Sequence, residues 1–108
     1  AEAVALKVNA ARRTAGEIGQ PGEEDLYKFT VVTGGTHVID TQGPTDVVMR
    51  LFGPNSQTNV IAEDDDSGTG SNARISASLV PGLYYAQVRH YNRDGGQGAY
   101  TIRVRRTK

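Results

Sequence analysis

The chain contains no cysteine and no tryptophan, and its acidic and basic residues balance. The absence of cysteine excludes a disulfide framework, a thiolate metal site and a cysteine nucleophile. A net charge of zero, from 12 basic and 12 acidic residues, argues against a general nucleic-acid or membrane-surface binder. No apolar run approaches the roughly 20 residues that a membrane-spanning helix needs. We therefore expect the 108 residues to form one domain, residues 1–108, with its own core.

Alternation of apolar and polar residues dominates what the sequence does contain. The clearest stretch places Tyr27, Phe29 and Val31 on one face and Lys28 and Thr30 on the other. Strong strands are predicted at 25–32, 46–52, 73–79, 83–91 and 99–105, and weaker strands at 4–8, 17–18, 36–41 and 59–62. Thirteen glycines and four prolines supply the turns between them. Eight or nine short strands of this kind indicate an all-β sandwich or barrel.

Two segments between the predicted strands have a distinctive composition. Residues 9–17, NAARRTAGE, have the only helix-like composition, and Gly16 fits a helix stop or a loop equally well. The last two strong strands are joined by NRDGGQG, which is typical of a hairpin loop. The sequence therefore predicts that strands 83–91 and 99–105 pair with each other.

Five segments, taken together, resemble one known family. They are GEEDLYKFTV, TDVVMRLFGPN, EDDDSGTGSNARI, VPGLYYAQVRHY and GAYTIRV. In order and spacing, from about Gly16 to Val104, they are similar to the G-D-x-D-x-Y-x-F-x-V strand, the D-x-x-L-x-x-x-G turn, the acidic loop and the closing tyrosine strands of bacterial pre-peptidase C-terminal domains. The resemblance implies a jelly-roll-like antiparallel β-sandwich appended to secreted or cell-surface bacterial peptidases. Such domains are non-catalytic, are often removed on maturation, and are related to the collagen-binding domains of clostridial collagenases.

The acidic loop AEDDDSGTGSNARI is a candidate calcium site. Asp64, Asp66 and Gly68 fit the opening of a D-x-D-x-G pattern, and calcium takes 6 to 8 oxygen ligands. The loop lacks the closing glutamate of an EF-hand, so the hypothesis completes the site with Asp46 or Asp25 from other strands. The alternative is a solvated turn whose adjacent carboxylates repel one another.

Calcium at the N-terminus is not expected. Some relatives in the family that this chain resembles bind calcium through an N-terminal Glu-x-Glu-x-Asn-Asp stretch. The corresponding AEAVALKVNA offers only Glu2 and Asn9 and cannot supply that cluster. The acidic loop therefore remains the candidate site.

The sequence gives little support to catalysis. Consecutive carboxylates on a Gly/Ser loop lack the opposed, enclosed pair that glycosidase chemistry needs. His37 and His90 are accompanied by no nucleophile-elbow or related motif. The simpler interpretation is that one histidine is packed in the core and the other lies on the surface. We therefore predict that the chain is not an enzyme.

The closing strands offer a candidate binding surface. If they form a hairpin, Tyr85, Arg89 and Tyr91 share an outward face with Arg103 on the neighbouring strand. Tyrosine and arginine are enriched at interface hot spots. In the related collagen-binding domains, tyrosines on the equivalent strands contact the ligand, which the resemblance carries to Tyr85 and Tyr91. Ordinary exposed strand residues are the competing interpretation.

Three functions remain open from the sequence. The first is an accessory domain that binds a protein substrate, collagen-like or otherwise fibrous, or the catalytic domain of the parent peptidase. The second is a cleaved processing or secretion element. The third is a carbohydrate-binding module, which the absence of tryptophan disfavours. Neither nucleic acid nor membrane is an expected partner.

Overall fold

The computed structural model describes residues 3–19, 23–43, 45–64, 73–90 and 98–107. Within these ranges the chain forms nine strands: β1 (Val4–Ala5), β2 (Thr14–Ile18), β3 (Glu24–Val31), β4 (Gly35–Gln42), β5 (Val47–Phe52), β6 (Val60–Asp64), β7 (Arg74–Leu79), β8 (Gly82–His90) and β9 (Gly98–Arg106). The same ranges include no helix long and apolar enough to cross a membrane.

The strands lie in two sheets that pack face to face. One sheet has five strands in the order β1-β3-β8-β5-β6, and the other has four in the order β2-β9-β4-β7. Every pair is antiparallel except β1 with β3. Consecutive strands mostly change sheets, since only β5 and β6 are neighbours both in sequence and in a sheet. The predicted jelly-roll-like antiparallel β-sandwich of eight or nine strands is confirmed.

The predicted hairpin between the last two strands is wrong. β8 is hydrogen-bonded to β3 on one side and β5 on the other, so both of its edges are occupied. β9 lies in the opposite sheet, between β2 and β4. The loop between them, residues 91–97, therefore connects the two sheets, and its own structure lies outside the described residues.

The core lies between the sheets and consists of the side chains that the alternation predicts to face inward. Tyr27, Phe29 and Val31 on β3 are at most 3% exposed. The ring of Phe29 stacks on that of Tyr84, with 5.7 Å between centroids. Further core residues are Ile18, Ile39, Val47, Met49, Leu51, Ala73, Ile75, Leu79, Ala86, Val88, Tyr100, Ile102 and Val104. Burial of this apolar surface is the main force holding the two layers together.

The segment with helix-like composition instead leads into the edge strand β2. The backbone N–H of Asn9 donates to Val104 O at 2.9 Å, and the side-chain oxygen of Asn9 accepts from the N–H of Arg106. These bonds hold Asn9 at a positive φ of 63°, which asparagine tolerates better than most residues. Pairing of β2 with β9 then provides hydrogen-bond partners for the backbone of this segment. An isolated helix of the same length would be only marginally stable in water.

Candidate functional site

The structure separates the four residues of the predicted binding surface. Tyr85 and Arg89 lie on β8 and face outward from the five-stranded sheet. Arg103 lies on β9 and faces outward from the four-stranded sheet, on the opposite side of the sandwich. Tyr91 lies outside the described residues. A single surface containing both Tyr85 and Arg103 is therefore wrong, because the hairpin on which it depended does not form.

Tyr85 has different neighbours from those the sequence suggested. The pairing registers place Lys28 on one side of Tyr85 and Phe52 on the other, and Val60 next to Phe52. Phe52 faces outward but is only 7% exposed, while Val60 on the edge strand is 50% exposed. This row therefore carries two aromatic rings and an aliphatic side chain across the outer surface of the sheet.

The flanking rows mix apolar and charged groups. One row runs from Leu26 through Gln87 to Arg50, whose guanidinium forms an ion pair with Glu63 at 2.5 Å. The next row places Arg89 between Glu24 and Val48. We call the apolar part of this surface the tyrosine face: Leu26, Val48, Phe52, Val60 and Tyr85. An apolar centre with ion pairs at its margin is the usual composition of a protein-binding surface.

Arg103 belongs to a separate cluster on the four-stranded sheet. Its guanidinium lies 3.8 Å from Asp40 Oδ2, directly across from it on β4. Arg13 approaches the same carboxylate at 2.7 Å and also donates to Thr101 Oγ1 and to the carbonyl oxygen of Asp40. Arg103 is thus part of a charged cluster rather than of an aromatic surface.

Two aspartates of the calcium hypothesis, Asp25 and Asp64, do not converge. Asp25 pairs with Val88, Val88 with Met49, and Met49 with Asp64. Three interstrand spacings therefore separate Asp25 from Asp64, about 14 Å. That distance is too long for both carboxylates to reach one ion, because calcium–oxygen distances are about 2.5 Å. Completion of the site by Asp25 is therefore wrong.

Asp46 does not lie beside Asp64 on the sheet. It precedes β5 by one residue and stands three residues before Met49, so it lies about 10 Å along the strand from the level of Asp64. Its Oδ1 is buried without a hydrogen-bond partner in the described part of the chain. Asp64 Oδ2 accepts from the N–H of Arg74 at 2.8 Å, and Asp66 lies outside the described residues. Across the described ranges, no group of three His, Cys, Asp or Glu side chains is placed to hold a metal ion.

Asp25 instead belongs to a hydrogen-bonded chain between the sheets that the sequence did not reveal. Tyr100 on β9 donates to Asp25 Oδ2 at 2.6 Å, and Tyr27 donates to the Tyr100 oxygen at 2.6 Å. Burial first, and then a hydrogen bond with Glu23, raise the pKa of Asp25 to about 6, while the bond from Tyr100 lowers it. Burial also raises the pKa of Tyr27 and of Tyr100, so both phenols stay neutral. The only sequence signal was that all three side chains are in phase with the inward face.

The two histidines lie in different parts of the fold. His37 is 1% exposed, and its Nδ1 bonds the Gly35 carbonyl at 2.8 Å. It lines a cavity of about 250 Å³ at one end of the sandwich, together with Val8, Asn9, Thr30, Val32, Thr33 and Arg106. The cavity brings no serine and no carboxylate of the described residues to His37. His90 lies at the end of β8, in another part of the fold.

The strands and their order define a small all-β sandwich domain. The family model of the bacterial pre-peptidase C-terminal domain matches residues 23–90, more than half of the chain. The chain belongs to this family, whose members are non-catalytic accessory domains associated with peptidases. No curated protein matches the chain.

Solved structures share the architecture at low sequence identity. The pre-peptidase C-terminal domain of a collagenase from Bacillus anthracis is 22% identical, with a TM-score of 0.77 over 95% of this chain and 94% of that one. PliG of Aeromonas hydrophila, a periplasmic lysozyme inhibitor of g-type lysozyme, is 18% identical, with a TM-score of 0.71 over 95% and 96%. PliG of Salmonella Typhimurium is 16% identical, with a TM-score of 0.60 over 94% and 97%.

Proposed function

We propose that this domain targets a secreted or cell-surface bacterial peptidase to its protein substrate, and that the tyrosine face makes the contact. The observation that carries the proposal is the row containing Tyr85, Phe52 and Val60 on the open side of the five-stranded sheet. The row supplies the hydroxyl group of Tyr85, the ring of Phe52 and the exposed aliphatic side chain of Val60, on three neighbouring strands. Tyrosine combines apolar contact area with a hydrogen-bonding group, at a small cost in conformational entropy.

The surroundings of this row fit a protein ligand better than a polysaccharide. Phe52 is only 7% exposed and so cannot serve as an open platform for a sugar ring. The margin carries both signs of charge, since Arg50 is paired with Glu63 and Glu24 lies beside Arg89. Mixed charges at the edge favour the polar rim of a protein–protein contact. A fibrous, collagen-like protein is the substrate class that the family membership favours.

The test is co-sedimentation of the purified domain with insoluble collagen and with a second fibrous protein. Tyr85→Ala should weaken binding about tenfold or more, because truncating a tyrosine hot spot costs about 2 kcal/mol. Val80→Ala is the matched control: Val80 is 60% exposed but lies in the turn before β8, away from the tyrosine face. Equal binding by the Tyr85→Ala variant and the unchanged domain would exclude this surface.

The other functions give different outcomes. A processing element would bind neither fibre, but its deletion from the parent polypeptide would abolish secretion. A carbohydrate-binding module would be retarded in a polysaccharide gel. The PliG neighbours are described as inhibitors of g-type lysozyme, so that enzyme is a useful second protein probe. Inhibition of it, without fibre binding, would replace substrate targeting by enzyme inhibition.

A further inference from the structure

The outer face of the four-stranded sheet carries an excess of arginine. Arg103 and Arg74 lie on opposite sides of Asp40, on β9 and β7, and Arg105 lies two residues beyond Arg103. Arg13 joins them by bonding Asp40 and Thr101. We call the set Arg13, Arg74, Arg103 and Arg105 the arginine face. The carboxylates on this sheet surface within the described ranges are Asp40 and, towards its edge, Glu17.

Two of these arginines have no acidic partner among the described residues. The ion pairs on this face involve Arg13 and Arg103, both with Asp40, whereas Arg74 and Arg105 form none in the described part of the chain. The Nε atoms of Arg103 and Arg105 are buried without a hydrogen-bond partner there. The charges of Arg74 and Arg105 are therefore not neutralised by a carboxylate of the described residues, so they are available to an anionic ligand.

The sheet surface between the arginines is mostly polar. Val38, between Arg105 and Ser76, is only 3% exposed, and apart from Asp40 and Glu17 the other described residues of this surface are small or uncharged. These are Thr36, Gln42, Ser76, Ser78 and Thr101. The one aromatic residue of β9, Tyr100, faces the core. The described residues of this surface thus offer no ring on which a sugar could stack and no large exposed apolar side chain, and they leave charge as the basis of recognition.

The spacing of the arginines fits an extended peptide. Arg103 and Arg105 share a strand and are two residues apart, about 6.7 Å. Alternate side chains of an extended peptide repeat at the same distance. A segment with an acidic residue at every second position would therefore present carboxylates in step with these guanidinium groups, which bind carboxylates through two parallel hydrogen bonds.

We propose that the arginine face is a docking surface for an acidic, extended segment of a partner protein. This surface is on the opposite side of the sandwich from the tyrosine face, so one domain can hold a substrate and an acidic partner segment at once. The chain as a whole has zero net charge, so the excess of arginine on this face would orient an acidic partner rather than add to a general attraction.

The experiment measures binding of a fluorescent peptide in which glutamate and threonine alternate. Fluorescence anisotropy should show binding at low ionic strength that weakens at about 0.15 M salt, where screening sets in within about 8 Å. The double variant Arg74→Ser/Arg105→Ser should bind at least about fivefold more weakly. A peptide of the same composition with its glutamates in one block should also bind more weakly, because only every second carboxylate of an extended block faces the sheet.

The control removes the same charge elsewhere. Lys7 and Lys28 are exposed and lie off this face, so Lys7→Ser/Lys28→Ser should bind the alternating peptide like the unchanged protein. Melting curves of both double variants establish that each is folded. Equal weakening of peptide binding in both double variants would show that binding depends only on net charge, and it would overturn the proposal.

Two further results would also overturn it. One is no binding of the alternating peptide at low ionic strength, and the other is binding of an anionic polysaccharide, such as polygalacturonate, without binding of the peptide. Tyr85→Ala should leave peptide binding unchanged. The peptide experiment therefore tests the arginine face separately from the substrate contact that we propose for the tyrosine face.

Discussion

The hydroxyl oxygens of Tyr27 and Tyr100 lie 2.6 Å apart and join the two sheets of the sandwich. Tyr27 belongs to the five-stranded sheet and Tyr100 to the four-stranded sheet, and their rings meet edge to face. The bond continues from Tyr100 to Asp25, so a line of three polar groups crosses the end of an otherwise apolar core. Such a line is stabilising only when every member is satisfied.

Replacement of Tyr100 by phenylalanine should destabilise the fold by about 1–3 kcal/mol. The change removes the donor to Asp25 and leaves the buried Tyr27 hydroxyl without its acceptor. Tyr27→Phe is the matched comparison, since it removes only the end of the line and should cost about 1 kcal/mol. Urea denaturation of both variants measures the difference. A smaller loss for Tyr100→Phe than for Tyr27→Phe would contradict the assigned direction of the bonds.

Gly16 allows this approach of the two tyrosines. A Cβ built on Gly16 would overlap the Tyr27 hydroxyl and would lie 2.5 Å from Tyr100 Cζ. Gly16→Ala should therefore destabilise the protein by about 1–3 kcal/mol through overpacking. Gly19→Ala is the control, because its Cβ would meet only the Glu23 side chain at an ordinary 3.5 Å. Thermal melting should separate the two variants, and equal stability would show that the tyrosines move aside freely.

Asp25 should make stability depend on pH. Its pKa in the folded state, about 6, lies above the ordinary value of 3.8, so the folded chain holds this proton more tightly than the unfolded chain. The contribution is fully present below pH 3.8 and is lost as the pH rises through 6. Asp25→Asn, which keeps an acceptor for Tyr100, should therefore gain stability relative to the unchanged protein above pH 6.

Melting temperatures measured on both sides of this range test the effect. The difference between Asp25→Asn and the unchanged protein should grow with pH. A constant difference for Asp25→Asn across the range would show that the carboxyl is not held protonated by the fold.

Calcium binding by the acidic loop remains a prediction for Asp64 and Asp66, with Asp46 as the candidate from another strand. If the loop binds calcium, millimolar calcium should raise the melting temperature relative to EDTA, because binding to the native state adds about 2.7 kcal/mol at hundredfold saturation. Asp66→Asn should reduce the shift, and Asp25→Asn should leave it unchanged because three interstrand spacings separate Asp25 from Asp64. An identical melting temperature with calcium and with EDTA would remove the site.

The sequence by itself determined the strands and the inward residues. The alternation around Tyr27, Phe29 and Val31 reports burial directly, because successive side chains of a strand point to opposite faces. The same local rule placed Tyr84, Ala86 and Val88 in the core and Tyr85 on the surface. The family resemblance rested on these same strands and on the turns between them.

Only the tertiary structure decided which strands are neighbours. Alternation is identical whether β8 pairs with β9 or with β3 and β5, so it could not show that Tyr85 and Arg103 lie on opposite sides of the sandwich. The contacts of Asp25 with Tyr100, and of Asp40 with Arg13, span 75 and 27 residues and have no local signature. Pairing between distant strands depends on the packing of the whole chain, and that pairing sets both candidate surfaces.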